Sequence, residues 1–181
     1  FDLAGGMVLH LTGANGAGKT SLLRQMAGAL PAGGGKILWK NKPLQRNDFS
    51  YLQANDNHLK TAETVLENIT FWASLWRVTD AAAAIDRALR VLGIPDLRAV
   101  PVRRLSSGQR RRVSLALAVL RPVPLWLFDE PFNALDAQAQ MLFMQALTTH
   151  CTAGGVAVIA SHQPFAPPSI PVLALHVGGG A

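Results

Sequence analysis

The sequence predicts an α/β fold, a mixed sheet with a helical insertion between its strands. Three observations predict it. Residues 7–12 form a short apolar run that leads into a glycine-rich loop and then into a helix-forming stretch. Leu125-Trp126-Leu127-Phe128 is continuously apolar, as a strand covered on both faces would be, and it ends on two carboxylates, Asp129 and Glu130. Between these two stretches lie residues 61–104, where apolar positions recur at helical spacing.

Each element follows from its own pattern. Residues 7–12 read as a buried strand, 13–18 as a loop and 19–29 as a helix. The Pro-Gly cluster at 31–35 ends that helix. Residues 36–40 alternate and predict a half-exposed strand; a polar stretch, 41–48, follows, and then a short strand at 49–52. Residues 53–60 are polar and loop-like. The run 61–76 carries apolar residues at 65, 66, 69, 72, 73 and 76, which predicts a helix. A second helix spans 80–92, with Thr79 or Asp80 as its N-cap and Gly93 suited to the C′ position. Residues 105–120 predict a nearly all-apolar helix stopped by Pro122. A helix at 136–149, a buried strand at 156–160 and a final edge strand at 172–177 complete the chain. The organisation expected is a first part of the core at 1–60 with short antiparallel strands, a helical subdomain at 61–104, and the remainder of the core at 105–181.

Composition narrows the function classes. The 181 residues suffice for one core, and 49% of them are hydrophobic, which excludes disorder. The formal charge of +6 is compatible with nucleic acid, an anionic membrane face or a polyphosphate, and does not choose among them. One cysteine, Cys151, excludes an internal disulfide; with no metal-like neighbours it reads as inert. No apolar run reaches the length of a membrane span. The chain begins at Phe1 without an initiator Met or a signal peptide, and a strand or more is expected upstream.

The loop is the strongest signal. Gly13-Ala14-Asn15-Gly16-Ala17-Gly18-Lys19-Thr20 matches G-x-x-x-x-G-K-[ST] at every position, between a strand and a helix. Glycines let backbone N–H groups turn inward around phosphate oxygens, and the helix N-terminus adds unpaired donors and a positive dipole end. Lys19 supplies charge to the β- and γ-phosphates, the Thr20 hydroxyl suits Mg²⁺, and Ser21 completes the expected ATP-binding set, residues 13–21. A glycine turn that merely reverses the chain is the plain alternative, and the flanking elements argue against it.

Two further blocks point the same way. Asp129 and Glu130 stand at the carboxyl end of a buried strand, where ligands bind in open α/β sheets. Asp129 suits Mg²⁺ beside Thr20, and Glu130 can polarise an attacking water. As a pair alone they could instead cap the next helix. Leu105-Ser106-Ser107-Gly108-Gln109, followed by three arginines, is a second helix N-terminus able to hold an anion. By itself it could be a plain Ser-Gly cap.

In order, these blocks resemble the nucleotide-binding domain of ABC transporters, over nearly the whole chain. The stretch 105–109 is similar to the LSGGQ signature, with Ser107 in place of its first glycine. Asn133-Ala134-Leu135-Asp136 resembles the loop that touches the partner subunit, and His162 the switch histidine that contacts the γ-phosphate. Residues 101–113, 125–136 and Ser161-His162-Gln163-Pro164 further resemble the ATP-binding subunits of cytochrome c maturation haem exporters. The resemblance implies a P-loop NTPase fold and ATP with Mg²⁺ as ligands. It also implies a peripheral ATPase on the cytoplasmic side of the inner membrane, bound to integral membrane subunits that handle haem or a haem chaperone.

It implies a mechanism as well. Two copies pair head to tail, and ATP lies between the 13–20 loop of one and Ser106–Gln109 of the other. The Ser106 and Gly108 N–H groups close onto the γ-phosphate, Glu130 activates the water, and His162 holds the γ-phosphate and helps position Glu130. Two departures accompany this. The family's Mg²⁺-linked glutamine corresponds to Gln53 or, counting back from Val65, to a position near Asn55. In the family the aromatic that stacks on adenine normally lies upstream of the position Phe1 takes here, and Tyr51, the one tyrosine, stands elsewhere. The helical insert is expected to dock the membrane subunit, with Trp72 and Trp76 either in that surface or in the core. His10, His58, His150 and His176 read as ordinary surface or core histidines. An ABC ATPase for another cargo remains open. A DNA-associated ABC ATPase is disfavoured by the short spacing between loop and signature, which lacks heptads and Cys pairs, so no nucleic acid partner is expected.

Overall fold

The computed structural model describes residues 2–31, 33–54 and 58–178. Packing divides the chain into two compact units, one built from residues 1–51, 123–131 and 148–181, the other from 52–122 and 132–147.

The first unit holds the main sheet. Its elements are β1 (Val8–Thr12), α1 (Lys19–Met26), β2 (Leu38–Trp39), β3 (Lys42–Pro43), β4 (Phe49–Leu52), β5 (Leu125–Asp129), β6 (Val156–Ala160) and β7 (Val172–His176). The strand order is β4-β5-β6-β1-β7. The β1–β6, β5–β6 and β1–β7 pairs are parallel, with Leu9 opposite Val158 and Leu127 opposite Val158 on the other side. β5 and β6 are buried at every position, as parallel strands covered on both faces must be. Leu9, Leu11, Leu23, Leu125, Leu127 and Val158 share one core cluster, and α1 packs on β5 and β6. Each such leucine contributes about 1.5–3 kcal/mol by leaving water.

Several boundaries differ from the sequence pattern, each for a local reason. α1 ends at Met26 rather than 29, because Gly28 takes a left-handed conformation (φ 68°) and the Gly28, Ala29 and Leu30 amides turn back to Gln25 and Arg24. The expected strand at 36–40 is one arm of a two-residue hairpin whose other arm lies in the polar stretch. Lys40 and Asn41 both have positive φ (49° and 62°), the twist a tight hairpin needs. A Lys-Asn pair is a weak signal for that turn, so the pattern missed it. The last strand does lie at the sheet edge, beside β1.

The second unit is largely helical, with α2 (Val65–Leu75), α3 (Ala81–Val91) and α4 (Ser107–Leu120). α3 packs against both α2 and α4. The helix expected from residue 61 starts at Val65. The Thr61 and Glu63 carbonyls are taken by the Arg103 and Val102 amides, and Thr64 then caps the helix in a reciprocal box with Glu67. The Thr64 amide and hydroxyl, both donating to the Glu67 carboxylate, hold it below the usual range. Asp80 precedes α3 in a left-handed conformation and Gly93 follows it at φ 65°. α4 buries Val113, Leu115, Ala116, Leu117, Ala118 and Leu120, in keeping with its all-apolar pattern. The last helix, α5 (Ala137–Thr152), runs three residues beyond the expected 149 and ends where Gly154 turns left-handed.

Cys151 is buried and free, and burial pushes its thiol up to about 11, consistent with inertness. His150 stacks flat on Trp126, ring centroids 3.9 Å apart at 6°, with Nε2 at 3.2 Å from the Val156 carbonyl. Gly155 makes room for that ring, since a Cβ there would collide with it.

Burial lowers the His150 pKa below 6.5, so the unfolded chain takes up this proton more readily than the folded one. The stability tied to neutral His150 is therefore full above 6.5 and is lost as pH falls below it. Melting curves between pH 7.5 and 5.5 should show this loss, and His150→Phe, which keeps the stack, should flatten the decline. An unchanged slope in that variant would refute the assignment.

Candidate functional site

The site in the first unit is built at the carboxyl ends of three neighbouring parallel strands. β1 delivers the 13–18 loop and α1. β5 delivers Asp129 and, one residue on, Glu130. β6 delivers Ser161 and His162. Because β6 pairs with both β1 and β5, these three ends lie side by side.

Lys19, only 7% exposed, sits in the first turn of α1 and donates from Nζ to the Gly13 and Ala14 carbonyls at 2.7 and 3.0 Å. Its ammonium is thus held over the loop, where an anion entering the cradle meets it. Gly18 precedes the helix at φ 100°, and Gly13 stands at φ 137° with its Cα against the Val177 carbonyl, where any Cβ would collide. Ala14, Asn15 and Gly16 are exposed at the loop tip and Ser21 at the helix surface. The Thr20 hydroxyl donates to Asp129 Oδ2 at 2.8 Å, so the two oxygen donors predicted separately do meet. Asp129 is 3% exposed. Among the described residues no group of three or more His, Cys, Asp or Glu could hold a metal. One hydroxyl and one carboxylate fit a hard cation that keeps waters and brings phosphate oxygens with it, as Mg²⁺ does.

Glu130 has φ 48°, a left-handed conformation that costs a non-glycine residue about 1–3 kcal/mol and concentrates at functional sites. Its amide donates to the Ala160 carbonyl at 2.8 Å, and its carboxylate Oε2 lies 2.9 Å from His162 Nδ1. The Glu130 side chain is 15% exposed and that of His162 54%. An acid and an imidazole in contact at the edge of a phosphate-binding loop can hold and move the proton of a water. His10 had no visible role in the sequence. Its ring lies 3.1 Å from the Ser161 carbonyl and 4.6 Å from the Phe165 ring, supporting the segment that carries His162. A polar residue inside an apolar strand was the one available signal.

The second unit carries the signature stretch. Leu105 is buried; Ser106 and Ser107 are exposed. Ser106 caps α4: its Oγ accepts from the Gln109 amide at 3.2 Å, while Gln109 Oε1 accepts from the Ser106 amide at 2.9 Å. The Ser106 N–H, expected to face phosphate, is therefore already used by Gln109, and the donors suited to an anion are the Ser106 hydroxyl and the first-turn amides of Ser107 and Gly108. A Cβ on Gly108 would lie 2.6 Å from the Ala134 carbonyl, whereas the adjacent Ser107 is exposed. This explains why the first glycine of the pair is dispensable here and the second is not. Ala134 itself is left-handed at φ 62°. Asp136 Oδ1 accepts from the Ala139 amide at 2.7 Å and so caps the start of α5. The Gln53 carbonyl accepts from Arg111; Asn55 lies outside the described residues.

A parallel sheet whose first strand runs into a phosphate cradle, with a hydroxyl–carboxylate pair beneath it, defines a P-loop nucleotide-binding protein. Comparison with known proteins makes this specific. The ABC transporter family matches residues 1–133, and the chain belongs to that family. It is an ABC-type ATPase and binds ATP. Over 168 residues it is 38% identical to the cytochrome c biogenesis ATP-binding export protein CcmA of Yersinia pestis, covering 90% of this chain and 77% of that one. With the protein of the same name from Escherichia coli K12 it shares 37% over 170 residues, 91% and 80% of the two chains. Among solved structures it is similar to cbiO1 of Clostridium perfringens, part of the ABC transporter complex cbiONQ, with TM-score 0.75 and 27% identity over 90% of this chain and 70% of that one.

Gly108→Ala is expected to destabilise the protein by about 1–3 kcal/mol through the clash with Ala134, seen as a lower denaturation midpoint. Ser107→Ala should stay within about 0.5 kcal/mol. Equal midpoints for the two variants would remove the steric constraint at Gly108.

Proposed function

We propose that this ATPase powers an export step in c-type cytochrome biogenesis, moving haem or releasing a haem chaperone through integral membrane subunits. The observation that carries the reading is the similarity to the Yersinia pestis export protein across 90% of the chain. The protein then sits peripherally on the cytoplasmic side of the inner membrane. Among the described residues no helix is long and apolar enough to cross a bilayer, which is compatible with such a subunit. The insert around 61–104 is the docking subdomain. On α2, Phe71 and Leu75 are 44% and 59% exposed, beside Trp72 and Trp76, which are half-buried and 5.1 Å apart. An aromatic surface of this kind suits a protein partner.

The catalytic cycle follows from two copies pairing head to tail around ATP. The 13–20 loop of one copy cradles the phosphates with backbone amides and Lys19. The partner copy closes the site with its Ser106 hydroxyl and Gly108 amide. Charge neutralisation and positioning supply most of the rate enhancement. Thr20 and Asp129 would hold Mg²⁺, with Gln53 kept as a doubtful candidate; when bound, that ion would supply charge neutralisation to the phosphate oxygens. Glu130 orients the attacking water and accepts its proton, with His162 Nδ1 fixing the carboxylate. His162 also reaches the γ-phosphate as the site closes. Asp136, capping α5 behind the Ala134 turn, keeps that turn in place to face the second copy. Once the γ-phosphate leaves, the charge that held the two copies together is gone, the pair opens, and its membrane partners move.

Glu130→Gln should leave ATP binding intact, lower turnover by about 10²–10⁴-fold and trap an ATP-bound pair visible by size-exclusion chromatography. Unchanged turnover would end the role given to Glu130. Deleting the gene should abolish c-type cytochromes, scored by haem staining. Normal cytochromes in the deletion strain would favour transport of another cargo.

A further inference from the structure

The His162 side chain is 54% exposed, so the packing around it does little to set its direction. Its Nδ1 nevertheless lies 2.9 Å from Glu130 Oε2. The aim therefore comes from the backbone. β6 ends at Ala160, and the Ser161 amide still bonds to the Leu11 carbonyl of β1 at 3.3 Å. Beyond that point side chains take over. The peptide unit joining 161 to 162 is held by its carbonyl, which lies 3.1 Å from His10 Nε2. The unit joining 162 to 163 is held by its amide, which donates to Ser161 Oγ at 3.0 Å, and the same hydroxyl donates to the Gln163 carbonyl at 3.2 Å. Both peptide planes that flank His162 are thus fixed.

Of these two holds, the one from His10 comes from outside the segment. His10 lies on β1, which is paired with β6 on one side and β7 on the other, so its own position is set by the sheet. A carbonyl only accepts, so His10 Nε2 carries a proton and donates. His10 is 8% exposed and Ser161 1%, so water does not compete for the bond. The Phe165 ring, from the segment that carries His162, lies 4.6 Å from the His10 ring and limits its rotation. Removing the Nε2 donor would leave the buried Ser161 carbonyl without it, and the peptide would be free to turn. The same peptide carries the His162 amide, so the turn passes straight to the His162 Cα.

We propose that His10 is a positioning residue for hydrolysis, aiming His162 at Glu130 through the Ser161–His162 peptide. This rests on the reading of Glu130 and His162 as the groups that handle the attacking water. One strand then serves both halves of the site: β1 leads into the phosphate cradle and, through His10, directs the acid–imidazole pair. Since the bond of His10 goes to the segment after β6 and not to the loop, its loss falls on turnover rather than on nucleotide binding.

Steady-state ATPase kinetics on the purified full chain, with a thermal midpoint for each variant, test this. In His10→Leu, kcat should fall by about fivefold or more while KM for ATP stays within about twofold. His10→Gln, whose amide nitrogen reaches as far from Cβ as Nε2 and can donate to the same carbonyl, should bring kcat back to within about twofold of wild type. Added to His162→Ala, His10→Leu should change the remaining turnover by less than about twofold, because the residue it acts through is gone. If His10→Leu does not fold, His10→Asn, polar but too short to reach the carbonyl, carries the same expectations. Unchanged kcat in a folded variant, no recovery with Gln, or a full further loss in the His162→Ala background would each overturn the proposal. Wild-type turnover in His162→Ala alone would instead overturn the reading of His162 on which it rests.

Discussion

The site depends on the pairing of three parallel strands. β6 lies between β1 and β5 and bonds to both, so the carboxyl ends of all three come to one edge. Nothing in the chemistry of Thr20 or Asp129 draws them together across 109 residues of sequence; register does. With Leu11 and Asp129 each opposite Ala160, the loop after β1 and the acid ending β5 come within the 2.8 Å of a hydrogen bond. The same alignment sets His162 against Glu130. A slip of one residue in any pairing would turn buried side chains to the wrong face and pull these groups apart. The apolar packing of β5 and β6 therefore positions Thr20, Asp129, Glu130 and His162 relative to one another.

Around that frame the backbone carries strain at two non-glycine positions, Glu130 and Ala134. Glu130 leaves β5 in a left-handed conformation, which a glutamate does not favour, while its amide remains tied to Ala160. The bond to Ala160 shows how the cost is met: the strand ladder extends one residue past the regular strand and pins the turn. In the second unit the left-handed Ala134 presses its carbonyl against Gly108. This contact makes the glycine of the signature a matter of space, whereas the neighbouring Ser107 is exposed.

The signature end of α4 is held by its own cap. Ser106 and Gln109 form a capping box, a device that any helix could use. By satisfying each other's amides they leave the Ser106 hydroxyl and the Ser107 and Gly108 amides at the tip. An exposed helix N-terminus is an anion site by default, and the cap sharpens which donors it presents. Arg111, one turn further along, anchors the same helix to the loop after β4.

The phosphate loop, the apolar strand ending in Asp129 and Glu130, and the capped helix at Ser106 were legible in the chain because each is local. Glycine spacing, apolar periodicity and a Ser-Gly helix start follow from neighbouring residues, and their order along the chain carried the family resemblance. Helix ends were less legible, since Gly28 and the Thr61–Arg103 tie act through turns and a partner segment that periodicity does not register. Long-range geometry decided the rest. That Arg111 is buried while Arg110 and Arg112 are not, that His10 supports Ser161, and that Gly108 meets Ala134 all depend on which segments the fold brings together. Local sequence determines which conformations a segment favours; only packing of distant segments determines what each side chain meets.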